Sequence, residues 1–413
     1  MSFGTMAVDY EVRYDIERLR RERLQRAKDH LKRSGLGALL CFDPWNIRYI
    51  TSTWLHWTKE NLMARYCLLP TNGEPILFEN GTTTTSRNLP GRTPWLEGRI
   101  FPAISLSRGA SPREAKRAEK CVAGIKKILS DNGVLKEPLG VDILDVPLME
   151  ALNAENIRIG DGQEVMMEAR RIKTQDEIEL MDHAAMIMDV AFSKFVDYIR
   201  PGVTESGICG LLHDIAYRMG SDEVENAHAI SGPRTNPHPH SWSDRTLRPR
   251  DLVFFDANVR FLGYSTCYYR TFSVGKPTQE QKDLYKQCYD WLYDCIKAVR
   301  PGATTWDVAK KLPTAAELGY SSEEESSCIE LGHGIGLGMW ERPIITRMYS
   351  EEHPVRLEKG MVLALETYTG KVGGNDAVRI EEEGVVTDSG FKILSRYPCD
   401  ELISCPVSHH GLP

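Results

Sequence analysis

The sequence lacks the features that mark membrane-embedded, secreted and nucleic-acid-binding proteins. Among its 413 residues no apolar run approaches the about 18 residues of a membrane span, and the charged segment Met1–Arg23 contains no apolar leader. The formal net charge is -7, so there is no excess of positive charge for binding nucleic acid or an anionic membrane. We therefore expect a cytoplasmic protein whose partner is neither a nucleic acid nor a membrane.

Paired cysteine motifs and phosphate-binding loops are also missing. The ten cysteines are scattered and form no CxxC pair, which predicts reduced thiols in a cytosolic protein. The glycine-rich segment LGHGIGLG at 331–338 is not followed by Lys-Ser/Thr, so we do not expect a nucleotide site there.

The patterns that are present alternate between helix and strand. A charged amphipathic pattern at 11–34 precedes short apolar strand patterns, and a second helix pattern spans 112–131. Past residue 168 a long helical pattern begins, with Thr174 as its expected N-cap. We predict a small α/β N-terminal domain at 1–165 and a C-terminal catalytic domain at 166–413.

An internal repeat divides the predicted C-terminal domain. RPGVT at 200–204 recurs as RPGAT at 300–304, and RDLVFFD at 250–256 recurs as GMVLALE at 360–366. Two repeats in the same order predict two related α/β halves that face each other. A site between the halves takes one acid from each.

Five side chains in this domain have metal-binding or acid–base chemistry. They are Asp256 and Glu366 at the ends of apolar strands, Cys267, His333 in the glycine-rich segment, and Glu381 in VRIEEEGVV. Each acid alone is more often solvated or paired, but a buried charge is costly unless it is paired or bound to a metal. Oxygen, imidazole and thiolate ligands together suit a transition metal such as Zn, Fe or Mn.

His240 is a further candidate. It lies in the proline-flanked loop sequence PHPHSWSDR, and an imidazole transfers protons near neutral pH. The alternative is a surface loop histidine without a chemical role.

The sequence resembles the creatinase/prolidase/aminopeptidase P family along nearly its whole length. FDPWNIRYITS at 42–52 and ARRIKTQDEIELM at 169–181 are similar to family segments. PHSWSDRTLRPRDLVFFDAN, GYSTCYYRTF, GHGIGLGMWERP, MVLALET and VRIEEEGVVT then follow in the family's order. The resemblance implies a small creatinase-like N-terminal α/β domain, a C-terminal pita-bread domain with an internal pseudo-twofold repeat, and a homodimer.

The resemblance also implies a metal site with one altered ligand. The family's metallopeptidases bind two metal ions through two Asp, one His and two Glu. Carried across, these ligands fall on Asp256, Cys267, His333, Glu366 and Glu381, with Cys267 in place of the Asp that bridges both ions. A thiolate ligates Zn or Fe but replaces a bridging carboxylate poorly. One divalent ion (Zn, Fe or Mn) is therefore favoured over two, and a metal-free site stays open.

Other positions also depart from the peptidases. The second His of the peptidase HExP motif is Trp340 here, which argues against ordinary Xaa-Pro peptidase activity. Trp340 and Arg342 are expected to shape the substrate pocket, together with Tyr269, which replaces an extra carboxylate of creatinase. The resemblance implies that Arg379 supports Glu381 in the family's R-x-E pattern.

Two relatives define alternative activities. Creatinase is a metal-free member that hydrolyses a guanidinium compound, and its catalytic His aligns with His240. The dimethylsulfoniopropionate lyase of this fold shares SGPRTNP, kept here at 231–237. However, its catalytic Tyr falls on Cys328 and its catalytic Asp on Met339 or Trp340, and its additional Asp ligand is Asn258.

These considerations together predict a hydrolase that cleaves a C–N bond in a small nitrogenous or onium compound. His240, Glu366 and Glu381 are the expected catalytic residues, and a bound metal ion activates water and polarises a carbonyl or amidine. The alternatives are a C–S or C–N lyase, an Xaa-Pro peptidase and a non-catalytic binding protein. A lyase takes its base from Tyr264, Tyr268, Tyr269 or Cys267.

Overall fold

The computed structural model describes residues 14–55, 59–81, 93–106, 110–326 and 332–407. The chain divides into two compact units, of which the first spans Asp15–Arg170 and the second contains Tyr14 and the described residues from Arg171 onward. The boundary expected at 165 lies inside the helix Gly162–Arg171. Among the described helices, none is both long enough and apolar enough to cross a lipid bilayer.

The first unit is built on a six-stranded mixed sheet. Its strands are β1 (Ala38–Cys41), β2 (Tyr66–Pro70), β3 (Ile76–Glu79), β4 (Ile100–Pro102), β5 (Leu139–Val141) and β6 (Ile159–Asp161). Their spatial order is β4-β3-β2-β1-β5-β6. The pairs β1–β2 and β2–β3 are antiparallel and the other neighbours are parallel. The apolar strand β1 is buried throughout, as expected for an inner strand.

Five described helices accompany this sheet, and two of them correspond to the helices predicted at 11–34 and 112–131. The five helices are α1 (Ile16–Ser34), α2 (Pro44–Thr51), α3 (Arg117–Asp131), α4 (Val146–Ala154) and α5 (Gly162–Arg171). The helix expected at 11–34 starts at Ile16 because the Asp15 side chain caps it by accepting two main-chain N–H groups; residues 11–13 lie outside the described ranges. The helix expected at 112–131 begins at Arg117, after a short 3-10 turn.

The second unit contains two five-stranded sheets. Its strands are β7 (Glu223–Ser231), β8 (Leu252–Phe261), β9 (Tyr264–Ser265), β10 (Arg270–Val274), β11 (Gly332–Gly334), β12 (Glu341–Ile345), β13 (Val362–Gly370), β14 (Ala377–Thr387), β15 (Gly390–Ile393) and β16 (Ile403–Cys405). One sheet has the order β16-β10-β8-β7 with β9 on β8, and the other has the order β12-β11-β13-β14-β15. The helices are α6 (Gln175–Tyr198), α7 (Glu205–Arg218), α8 (Gln279–Ala298), α9 (Thr305–Ala309) and α10 (Ala315–Leu318).

The predicted internal repeat is confirmed in the main-chain hydrogen bonds. After α6, the N–H of Gly202 donates to the carbonyl of Leu247 at 3.1 Å; after α8, the N–H of Gly302 donates to the carbonyl of Leu357 at 2.9 Å. Both glycines have positive φ, 94° and 87°, a conformation that favours glycine. A threonine then caps the next helix in each half. RPGxT is thus one turn used twice.

The cysteines agree with the expectation of reduced thiols. Nine of the ten lie in described residues, and all nine are buried free thiols. Cys328 lies outside the described residues.

A buried ion pair in the first unit gives a stability prediction. Arg65 and Glu79 are 1% and 0% exposed, with Nε and Oε2 3.0 Å apart. Replacing one partner leaves the other charge buried and unpaired, so Glu79→Gln should lower the free energy of unfolding by about 3–5 kcal/mol. Urea unfolding measures this change. The control is Asp131→Asn, which breaks the exposed pair of Asp131 with Lys127 and should have little effect. Equal losses in the two variants would contradict the prediction.

Candidate metal centre and active site

Both sheets of the second unit contribute to one buried cluster. Asp256 lies on β8, Cys267 between β9 and β10, His333 on β11, Glu366 on β13 and Glu381 on β14, and all five are buried. The Cys267 Sγ is 3.6 Å from Asp256 Oδ1 and 3.6 Å from Glu381 Oε2. Glu366 and Glu381 face each other across the β13–β14 pair. The strands thus gather the residues that the sequence separates by more than a hundred positions.

Three of these side chains have the spacing of metal ligands. Cys267, His333 and Glu381 each offer one ligand atom, and these atoms all lie within 4.8 Å of one another. The Nδ1–H of His333 donates to the Gly334 carbonyl at 3.0 Å, which leaves Nε2 as the lone-pair nitrogen. Burial lowers the pKa of His333, so its imidazole is neutral, the form that binds a metal.

Burial also raises the pKa values of the acidic members of the cluster. The pKa of Asp256 rises to about 8, because the carboxyl is desolvated and lies near Glu366. The same two causes raise the pKa of Glu381 well above its ordinary value. Burial, and then the Asp256 carboxylate, raise the pKa of the Cys267 thiol. These groups release their protons when a divalent cation binds, and they then bind it as negatively charged ligands.

One oxygen of Glu381 tests whether a metal fits. Glu381 Oε1 is buried and has no hydrogen-bond partner among the described residues. A buried carboxylate oxygen without a donor is costly, and a metal ion removes that cost. The imidazole, thiolate and carboxylate donors suit Zn²⁺ or a similar ion. The residues of the cluster therefore fit a divalent metal.

The cluster opens into a cleft of about 320 Å³. Its lining residues are His228, His240, Asp256, Cys267, Tyr269, His333, Met339, Trp340, Glu366 and Arg379. Trp340 is 45% exposed, and its ring lies 4.4 Å from that of His333. Arg342, expected at the pocket, lies on β12 and is not among these lining residues.

Arg379 pairs with Glu366. Its guanidinium contacts Glu366 through Nε at 3.1 Å and through Nη2, and it lies 4.6 Å from the centre of the Tyr269 ring. The resemblance had implied support for Glu381. Glu381 lies directly opposite Glu366 in the β13–β14 register, so a side chain two positions along β14 reaches diagonally across to Glu366.

The loop after β7 brings histidines to the cleft. His240 lines the cleft and stacks on His238, with ring centres 3.8 Å apart. The main-chain N–H of His240 donates to His238 Nδ1 at 3.0 Å, so His238 Nε2 carries the hydrogen that faces the Tyr269 hydroxyl at 3.3 Å. Sequence reasoning selected His240 and passed over His238, which is more buried and in contact with the site.

His228 was also missed. It lies on β7 opposite Asp256 on β8, and it lines the cleft. Burial lowers the pKa of His228 to about 4, so the side chain is neutral. His228 could have been found from its position three residues before SGPRTNP. It lies on β7, and antiparallel pairing with β8 brings it beside Asp256.

The histidine loop is held at both ends by Glu205, the first residue of α7. The fully buried Glu205 carboxylate accepts the main-chain N–H and hydroxyl of Ser231, at 2.8 and 2.7 Å, and those of Ser243, also at 2.8 and 2.7 Å. The Arg234 guanidinium completes its partners. Farther along, the Asn236 side chain donates to the Lys371 carbonyl at 2.6 Å. SGPRTNP therefore builds the loop and fastens it to the β13–β14 hairpin.

Comparison with known proteins now places the chain. Residues 179–388 match the family model described as metallopeptidase family M24. The chain belongs to metallopeptidase family M24. Its relatives include the dimethylsulfoniopropionate lyase DddP of Roseobacter denitrificans, 28% identical over 400 residues that cover 94% of this chain and 87% of the lyase. The Xaa-Pro dipeptidase of Pyrococcus furiosus is 30% identical over 241 residues, which cover 56% of this chain and 65% of the dipeptidase.

Solved structures of this M24 chain's relatives confirm the predicted pita-bread fold. A recombinant prolidase from Thermococcus sibiricus superposes with a TM-score of 0.75 at 23% identity, over 93% of this chain and 99% of the prolidase. Aminopeptidase P from E. coli superposes with a TM-score of 0.68 at 19% identity, over 91% and 95%. The resemblance to the creatinase/prolidase/aminopeptidase P family is thereby confirmed. Members of the family are enzymes and typically use divalent metal ions.

The Glu205 anchor predicts how the histidine loop responds to mutation. Glu205→Ala removes the shared acceptor of Ser231, Arg234 and Ser243, so the loop should open more often. We expect amide hydrogen exchange across 232–246 to accelerate by about tenfold or more, measured by mass spectrometry. The control is Asp214→Ala on the same helix, which breaks only an exposed pair with Arg218. Unchanged exchange in Glu205→Ala would contradict the anchoring role.

Proposed function

We propose that this M24 chain is a hydrolase that cleaves a C–N bond in a small nitrogenous or onium compound, using one divalent metal ion. Cys267, His333, Glu366 and Glu381 hold the ion in this proposal. The observation that carries it is the set of thiol, imidazole and carboxylate ligand atoms within 4.8 Å of one another. The unpartnered Glu381 Oε1 beside them supports it.

One ion is favoured over two because of the chemistry of Cys267. A bridging carboxylate offers two oxygens, one to each ion, whereas a thiolate offers one sulfur. The Cys267 thiol is 3.6 Å from both Asp256 Oδ1 and Glu381 Oε2 and donates its single S–H to a carboxylate.

The side chains around the cleft have different roles in the proposed reaction. When bound, the ion polarises a carbonyl or amidine and lowers the pKa of a bound water. Arg379 balances the charge of Glu366. His240 and His228 line the cleft, and burial lowers the pKa of both. A pKa of about 4 makes His228 a weak base, so His240 is the group proposed to accept a proton from a reacting group. The exposed face of Trp340 offers a wall for a cationic or apolar group.

The size of the cleft supports a small substrate. The cleft volume of about 320 Å³ lies at the lower end of the range for small-molecule sites, about 300–1,000 Å³. Trp340, which stands where the peptidases have a second His, borders this space. Both features favour a small molecule over an extended peptide. The cytoplasmic location and the homodimer rest on the composition and on the family resemblance, and they stay predictions.

Elemental analysis of the purified protein tests the metal centre. We expect about one equivalent of Zn, Fe or Mn in the wild type, less in Cys267→Ser because a ligand is lost, and more in Cys267→Asp because a bridging carboxylate is restored. Cys295→Ser, a buried cysteine on α8 outside the cluster, is the control and should keep the wild-type content. A metal-free wild type that gains metal in Cys267→Asp would instead indicate an acid–base centre around His240, Glu366 and Glu381.

A second candidate is a C–S or C–N lyase acting on an onium compound. It is favoured by the 28% identity to the lyase DddP over 94% of this chain, together with the kept SGPRTNP loop. Against it, the positions of that lyase's catalytic Tyr and Asp are Cys328 and Met339 or Trp340. Tyr269 is the described tyrosine that lines the cleft and is available as a base.

Reaction in heavy-oxygen water separates the two candidates. A hydrolase incorporates solvent oxygen into one product, whereas a lyase forms an unsaturated product without it. With a panel of small amides, amidines and onium acids, we expect solvent oxygen in the product and loss of turnover by about a hundredfold or more in His240→Asn. Tyr269→Phe should then retain most of the activity. An unsaturated product that is abolished by Tyr269→Phe would establish the lyase instead.

A further inference from the structure

Glu383 is a buried acid that the proposed chemistry does not use. It lies on β14 two residues after Glu381 and is fully buried. Its Oε2 accepts the hydroxyl of Thr266 at 2.6 Å and the main-chain N–H of Cys267 at 3.0 Å. Its Oε1 has no hydrogen-bond partner among the described residues. Both side-chain hydrogen bonds of Glu383 thus go to the segment that carries the thiol.

Hydrogen bonds hold this segment on both sides of the thiol. Cys267 lies between β9, which ends at Ser265, and β10, which begins at Arg270, so it belongs to neither strand. The Thr266 N–H donates to the Val259 carbonyl at 3.0 Å, and the Thr266 carbonyl accepts the Asn258 side chain at 3.2 Å. At the cysteine itself the main-chain N–H donates to Glu383. Glu383 therefore holds the main chain at the residue that carries the Sγ.

The neighbouring acid shows that burial alone does not explain Glu383. Glu382 is also buried, but it points to the other face of β14 and pairs with Arg270 at 2.8 Å. Its remaining partners are Tyr293, Ser395 and Cys399. Glu382 thus balances a buried cation, whereas Glu383 is bonded to neutral donors next to the ligand cluster.

We propose that Glu383 is a positioning residue that holds the Cys267 thiol at the ligand cluster through Thr266 Oγ1 and the Cys267 N–H. The inference rests on the proposed function for the role of Cys267 as a ligand. The hydrogen bonds themselves do not depend on a bound metal. Thiol placement is therefore testable in the metal-free protein as well as in the metal-loaded one.

The test uses two variants of Glu383, one of Thr266 and a matched control. Glu383→Met removes the acceptor with little change of volume, whereas Glu383→Gln keeps a carbonyl oxygen that accepts both bonds. Thr266→Val removes one of the two donors and carries the test where Glu383→Met does not fold. The control, Thr369→Val, alters another buried threonine, whose hydroxyl reaches the Leu284 carbonyl on α8.

The first measurement is the alkylation rate of Cys267 by iodoacetamide in metal-free protein, followed on its peptide by mass spectrometry. Loss of the Glu383 bonds frees the segment, so Glu383→Met should react about tenfold faster than wild type. Thr266→Val should react faster by a smaller factor. Glu383→Gln and Thr369→Val should stay close to wild type. Equal rates in Glu383→Met, Thr266→Val and wild type would overturn the proposal.

The second measurement separates this inference from the proposed function. Protein loaded with Co²⁺ shows a thiolate-to-cobalt absorption band if Cys267 is a ligand. We expect the band in wild type and Glu383→Gln, and a weaker one in Glu383→Met. The absence of this band in wild type would show that Cys267 is not a ligand. The alkylation rates of Cys267 would then be the test of whether Glu383 positions the thiol. An unchanged band in Glu383→Met would overturn the positioning role.

Discussion

The second unit depends on how it neutralises acids that it buries inside a sheet. The strand β14 carries three consecutive buried glutamates, and each is stabilised differently. Glu382 pairs with the Arg270 guanidinium on one face of the strand. On the other face, Glu383 accepts hydrogen bonds from the thiol-bearing segment. Glu381 and Glu383 each have one oxygen without a donor among the described residues. Glu381 differs in that its carboxylate lies with Cys267 and His333, whose ligand atoms are all within 4.8 Å of one another, and this spacing supports the proposed role of Glu381 as a ligand.

Much of the site was predictable because its residues lie in sequence patterns that are typical of strands and turns. Apolar strands that end in Asp256 and Glu366, and a turn used twice, indicated two related halves and one acid from each. The side chains that support the site were not predictable in the same way. Glu383 lies more than a hundred positions from Cys267, and only the tertiary fold brings the two together. Because side chains alternate along a strand, the sequence predicts that neighbouring glutamates point to opposite faces of β14. It does not predict which residues they contact on each face.

The same reason explains the histidines. Three of them, His228, His238 and His240, gather at the cleft, but the sequence pointed to one. The proximity of His228 to Asp256 is a consequence of the β7–β8 register, and the stacking of His238 on His240 is a consequence of the loop conformation. The contact of Arg379 with Glu366 was not predictable either, because it depends on strand register and side-chain length together. Family patterns identified which residues matter, whereas contacts decide what each of them does.

In the proposed metal centre, Cys267 changes which metal ions the ligand cluster prefers. A carboxylate cluster with one imidazole binds hard and borderline ions alike, but a thiolate favours Zn²⁺, Co²⁺ and Fe²⁺ over Mn²⁺ and Mg²⁺. Cys267 also needs a lower pKa to act as a ligand, since burial and the neighbouring carboxylates raise it in the absence of a cation. In the proposed metal centre, metal binding and ionisation of the thiol would therefore be coupled, and a cation that polarises sulfur well would overcome the raised pKa.

The SGPRTNP loop, which this chain shares with the lyase DddP, has a structural role. Its presence therefore does not indicate which reaction the enzyme catalyses. Ser231, Arg234 and Asn236 direct their side chains to Glu205, to Lys371 and to the loop itself, and none of the three lines the cleft. SGPRTNP can therefore be kept wherever the same loop is needed, whatever bond the enzyme breaks. The reaction is decided by the groups that face the cleft, and at Met339 and Trp340 these offer no carboxylate. An elimination would therefore take its base from another group at the cleft, such as Tyr269, whereas the proposed hydrolysis uses His240 and the proposed metal ligands.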